Sequence, residues 1–226
     1  MPDNDTRPAP SLIVMLTHND YTADNAEEIF EQCRDTEALY WGFKELPLPE
    51  TRMKDLYRRM KECGKTTVLE VVGYDEAAGL NGARLAARCG CDMLMGTRFF
   101  PSIARFCRDH GLRYLPFVGT ITGRPSVLTG AIDSIIAEAR AALEGGADGI
   151  DLLGYRYEGD AVALNKAVTR DIKADVCIAG SVDSYSRLDE IREAAPRFFT
   201  IGSAFFNHRF GTDFPTQINN VCRYFR

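Results

Sequence analysis

Two carboxylates stand where their neighbours are aliphatic. Glu70 interrupts the run TTVLEVV, and Asp151 interrupts GIDLL. An ionised carboxylate buried without a partner in such surroundings is strongly destabilising. Strand side chains alternate between faces, so the cheaper arrangement turns both groups toward one interior. Val68 and Val72 would then lie beside Glu70, and Gly149 and Leu153 beside Asp151. Lys44, at the end of LYWGFK, is the cation placed to join them. One outcome is an ion-pair cluster that only holds a barrel mouth together. The other is chemistry: a desolvated lysine and a carboxylate acting as acid and base, or the lysine as an amine nucleophile toward a carbonyl. His18, in the segment THND, adds a candidate proton shuttle.

A second pattern lies near the C-terminus. CIAGSVDS at 177 to 184 and TIGSAFF at 200 to 206 each end an apolar run in Gly-Ser. Gly180 and Gly202 let backbone N–H groups approach an anion closely. Ser181 and Ser203 add hydroxyl donors, and a helix starting just afterwards directs its positive end to the same place. The competing reading makes the glycines tight turns and Ser181, Ser203 or Asp183 helix caps. Two such turns in succession favour a phosphate cup. Asn19, Arg98 and Arg156 also follow apolar runs and are candidate substrate contacts.

These residues need elements to position them. In ECG-KTTVLEVV, RCG-CDMLM, DHG-LRYLPFV and EGGA-DGIDLL a helix-like stretch ends in glycine and a β-rich run begins shortly after. Glycine takes the left-handed position that closes a helix, so the four junctions share one physical cause. Strand-like runs begin near Leu12, Ala38, Thr66, Asp92, Arg113, Asp148, Asp175 and Arg197. Amphipathic stretches lie between them, such as 26 to 35, 51 to 63 and 134 to 146. Alternation of this kind predicts an α/β fold: a single-domain (β/α)8 TIM barrel over residues 11–226, after a loose tail over 1–10. The rival open doubly wound sheet would want a glycine-rich turn after its first strand, and THNDYTADN at 17 to 25 lacks one. In a barrel, the loops after the strands form the active face, and the loops after strands 7 and 8 commonly hold phosphate.

The totals narrow the field. With 45% hydrophobic residues in 226, the chain can bury a large core. Seven scattered cysteines and no export signal point to reduced thiols in the cytoplasm. A net charge of −5 argues against a nucleic-acid binder, and no apolar run reaches membrane-spanning length. The expected partner is a small phosphorylated metabolite, with a homo-oligomer left open. His18, His110 and His208 are dispersed, so no metal site is assigned, although carboxylates leave magnesium open.

The segment 177 to 206 resembles the closing third of the ribulose-phosphate-binding barrels, a group that includes sugar-phosphate epimerases, indole-glycerol-phosphate synthase and related lyases. EGGADGIDLL is similar to their helix 5 to strand 6 junction. The resemblance implies phosphate binding through Gly180, Ser181, Gly202 and Ser203. It does not extend to the catalytic signatures: Ala179 and Gly180 stand where the acylaminosugar-phosphate epimerases carry a glutamate, and the metal histidines of the pentulose-phosphate epimerases have no counterpart. The expected activity is that of an isomerase, epimerase or lyase working by proton abstraction next to a carbonyl, with Lys44, Glu70, Asp151 and His18 as catalytic candidates. No cofactor is required by this reading. Bound FMN in the same cup, or a non-catalytic phospholigand-binding protein, are the alternatives.

Overall fold

Gly64, Gly90, Gly111 and Gly146, one at each of the four junctions, all have positive φ, between +68° and +103°. Each ends a helix and releases the chain into a strand. In the computed structural model, which describes residues 8–226, the strands are β1 (Ser11–Met15), β2 (Tyr40–Lys44), β3 (Thr66–Val71), β4 (Met93–Arg98), β5 (Arg113–Phe117), β6 (Gly149–Leu152), β7 (Asp175–Ile178) and β8 (Phe198–Ile201). All neighbours are parallel, in chain order, and β8 pairs with β1 to close the ring. The fold is the expected closed (β/α)8 barrel. Of the tail expected over 1–10, residues 1–7 lie outside the described residues, and 8–10 have no regular structure.

The surrounding helices are α1 (Ala26–Cys33), α2 (Glu50–Glu62), α3 (Glu76–Cys89), α4 (Pro101–Asp109), α5 (Ile132–Glu144), α6 (Ala161–Asp171), α7 (Tyr185–Ala194), the single-turn α8 (Ser203–Phe206) and α9 (Phe214–Tyr224). Among the described residues, no helix is long and apolar enough to cross a membrane. Two hairpins rise at the mouth: Thr17–His18 with Tyr21–Thr22, and Thr120–Thr122 with Val127–Thr129.

Inside the ring, Ile13, Met15, Val68, Met93, Met95, Leu115, Cys177 and Phe198 form an apolar plug separate from the larger core between sheet and helices. The polar groups of β2, β3 and β6 follow it toward the C-terminal ends of the strands, so the plug is the floor on which they stand. Space there is tight. A Cβ on Gly42 would lie 2.6 Å from the carbonyl oxygen of Val68 and 2.8 Å from its Cβ, closer than real contacts allow. Between Met95 and Arg98 the register of β4 shifts, and Gly96 and Thr97 both take positive φ, at +77° and +52°. This bulge ends the simple alternation on β4.

The crowding at Gly42 yields a direct test. Gly42→Ala should destabilise the protein by about 1–3 kcal/mol through overpacking, seen as a lower urea midpoint with an unchanged slope.

Candidate active site

Register puts Lys44 beside Glu70 on neighbouring strands. Lys44 Nζ lies 3.3 Å from Glu70 Oε1 and 2.6 Å from Oδ1 of Asp20. Asp20 arrives from the hairpin after β1, with Asn19 and Asp20 both at positive φ. Thr22 fastens that hairpin to β2: its hydroxyl donates to the Lys44 carbonyl at 2.7 Å and accepts from the Lys44 N–H at 3.0 Å. Arg156, just after β6, reaches the same Asp20 oxygen at 3.3 Å, and Arg124 Nε lies 3.9 Å from the other. Arg124 also pairs with Glu45 at 3.3 Å.

Lys44 is only 5% exposed. Burial would depress its ammonium, but the charges of Glu70 and Asp20 and the hydrogen bond to Asp20 outweigh it and raise the group above the ordinary lysine range. Burial likewise opposes ionisation of Asp20. The hydrogen bond from Lys44 and the charges of Lys44 and Arg156 overcome it and hold that carboxyl below its usual value. The lysine is therefore an ammonium at neutral pH, suited to stabilising developing negative charge and unsuited to attacking a carbonyl as a free amine.

The Gly-Ser turns form the opposite wall. Gly180 and Ser181 both have positive φ, at +86° and +55°, and a Cβ on Gly180 would lie 2.8 Å from Cγ of Arg156. Ser184, not Ser181 or Asp183, caps α7 by accepting from the N–H of Arg187. Gly202 stands at the N-cap of α8. Among the described residues, the backbone N–H groups of Gly180, Ser181, Gly202 and Ser203 donate to no protein acceptor. The Ser203 hydroxyl accepts from the Asn19 N–H at 3.1 Å, which ties the first hairpin to the last turn.

One cleft of about 570 Å³ joins the two walls. Its lining includes Thr17, Asp20, Lys44, Glu70, Arg156 and both Gly-Ser turns. The chain superposes on the native KDPGal structure with a TM-score of 0.70 at 17% identity, over 95% of this chain and 94% of that one. On orotidine 5'-phosphate decarboxylase from Pyrococcus horikoshii the TM-score is 0.67 at 13% identity, covering 95% and 99%. On N-(5'-phosphoribosyl)anthranilate isomerase from Pyrococcus furiosus it is 0.64 at 12%, covering 95% and 98%. No family model matches the sequence, and no curated protein is significantly similar to it.

What the chain shares with these three structures is the fold, a closed eight-stranded parallel (β/α)8 barrel. Within this barrel, Lys44, Glu70, Arg156, Gly180, Ser181, Gly202 and Ser203 meet at the cleft, while four other sequence candidates lie apart from its lining. His18 stacks on Phe206 with ring centroids 4.8 Å apart. Asn19 is exposed and enters only through its backbone. Arg98, after the β4 bulge, is exposed and lies 3.9 Å from Glu138. Asp151 is wholly buried. Asp20, Arg209 and Asn207 line the cleft without having been singled out as site residues. Asp20 had one available signal, its place in the polar segment after the first strand. No group of three or more His, Cys, Asp or Glu side chains among the described residues could hold a metal ion, and Lys44 occupies the position between Asp20 and Glu70 that a cation would take.

Asp20 carries the network's main acid sensitivity. Because its carboxyl is held below the usual range, the stability it contributes is present above about pH 4 and is lost as pH falls through the folded-state value. Asp20→Asn should lose about 3–5 kcal/mol at neutral pH. Denaturant titrations should show the gap to the wild-type protein closing in acid.

Proposed function

We propose that the protein is an isomerase, epimerase or lyase acting on a small phosphorylated carbonyl compound. One observation carries this reading: the cleft containing the Lys44–Glu70 contact is also lined by both Gly-Ser turns, whose N–H groups are unpaired among the described residues. A phosphate held by those turns would leave the rest of a short substrate over the ammonium and the carboxylate. The names of two structural neighbours, a decarboxylase of orotidine 5'-phosphate and a phosphoribosyl anthranilate isomerase, agree with this ligand class.

In the proposed reaction Glu70 takes a proton from the carbon next to the carbonyl. The C–H electron pair moves to form the enolate, whose oxygen is stabilised by the Lys44 ammonium. Returning the proton to the opposite face of the same carbon gives an epimer; returning it to the former carbonyl carbon, while the proton of the adjacent hydroxyl passes to the former carbonyl oxygen, gives an isomer. In the lyase outcome the enolate pair reforms the carbonyl, a double bond forms to the next carbon, and the hydroxyl on that carbon leaves as water with the proton that Glu70 had taken. Electrons balance in each case without an external oxidant or reductant.

The test is a panel of sugar phosphates in D2O, followed by NMR for deuterium at the carbon beside the carbonyl, with binding read separately by thermal shift. A bound member should exchange. Glu70→Gln should slow exchange by about 10²–10⁴-fold while keeping the thermal shift with inorganic phosphate. Gly180→Asp puts a charge at the turn and should abolish that shift. Stabilisation by phosphate that survives Gly180→Asp would move the anion away from the turns, and bound ligands that never exchange would remove proton abstraction.

A further inference from the structure

Asp151 is the buried group that this reaction leaves unused. It is 0% exposed, it is not part of the cleft lining, and neither carboxyl oxygen has a hydrogen-bond partner of good geometry among the described residues, the backbone N–H of Gly96 making only a weaker contact with it. On its own sheet it sits level with Phe117 and Cys177. The ionisable groups sharing the ring interior with it are Glu70 on β3, Lys44 on β2 and the Cys177 thiol on β7. The rest of the plug, Ile13, Met15, Val68, Met93, Met95, Leu115 and Phe198, is uncharged.

An ionised carboxylate there would be desolvated, would have only a weak contact with the Gly96 N–H, and would be repelled by the charge of Glu70. A carboxylic acid avoids all three costs and brings an O–H donor that needs an acceptor. Lys44 Nζ lies 3.3 Å from Oε1 of Glu70, which leaves Oε2 as the acceptor for such a donor. Cys177 offers little alternative, since burial first, then Asp151 and Glu70, keep its thiol protonated.

We propose that Asp151 is a proton-holding positioning residue: a neutral carboxylic acid whose O–H donates to the Glu70 carboxylate from within the ring, so that Lys44 and Asp151 together fix the oxygen that faces the cleft. Electrostatics agree with the geometry. Burial drives the Asp151 carboxyl well above the ordinary range, Glu70 adds to the rise, and Lys44 and the Gly96 N–H only partly oppose it. The positioning role rests on Glu70 being the base, but the proton itself can be read without any substrate.

The experiment is carboxyl 13C NMR of the ligand-free protein labelled at aspartate, with Asp151→Asn for assignment. The signal missing from the variant should keep a protonated shift from about pH 5 to about pH 7, where ordinary aspartates are ionised. The folded-state value is raised, so wild-type stability should fall relative to Asp151→Asn as pH rises above about 4. In the deuterium-exchange assay Asp151→Asn, which keeps a donor, should retain the wild-type rate at neutral pH. Asp151→Leu, which has none, should lose at least tenfold, with the phosphate-induced thermal shift unchanged. An Asp151 signal that titrates near about pH 4 overturns the proposal whatever the cleft does. Equal exchange rates in the Asn and Leu variants overturn the positioning role. A protonated Asp151 in a protein that exchanges no substrate would defeat the Glu70 reading and that role together, and leave only the buried proton standing.

Discussion

A buried ammonium between two carboxylates organises the mouth of this barrel. Lys44 is 5% exposed, and its charge is tolerable only because Asp20 lies 2.6 Å away and Glu70 3.3 Å away. Removing either partner leaves a desolvated charge, which is far more destabilising than a surface pair is stabilising. The requirement reaches across the fold. β2 and β3 must be adjacent and in register, the first hairpin must bring Asp20 inward, and Thr22 must hold that hairpin to β2. Arg156 and Arg124 then share the Asp20 charge and draw the loops after β5 and β6 into the same cluster.

The division of labour within the ring follows from that constraint. The lower interior is apolar and close-packed, so the charged layer cannot sink, and Gly42 is small because the Val68 backbone occupies the space a side chain would need. On the far side, β7 and β8 end in turns with glycine where Arg156 and the first hairpin pack closely against the backbone. The Asn19 to Ser203 hydrogen bond couples the hairpin that delivers Asp20 to the turn beside α8. A ligand bridging the two walls would therefore touch segments already joined.

Much of this was legible in the residues. Glycine-ended helices followed by β-rich runs marked the repeat, because a left-handed residue is needed at each junction. The isolation of Glu70 in TTVLEVV and of Asp151 in GIDLL pointed both inward, because a charge facing the helices would have no partner. Depth was not legible: alternation gives the face of a strand but not the height of the plug, so Asp151 is sealed while Glu70 reaches the cleft. Asp20 was hidden because the turn that aims it uses Asn19 and Asp20 themselves at positive φ, with no glycine as a marker. Arg98 misled because the β4 bulge ends the alternation two residues before it, and His18 because its stacking partner, Phe206, is distant in sequence.

The charge balance of the barrel mouth depends on Lys44 carrying its proton at rest. Direct titration of the lysine side-chain nitrogens by 15N NMR, with Lys44→Arg to assign the signal, measures this in the free protein. The Lys44 nitrogen is predicted to remain an ammonium to higher pH than the exposed lysines of the same chain. A Lys44 signal that loses its proton below them would contradict the account, and would describe a free amine where the structure has a fixed positive charge.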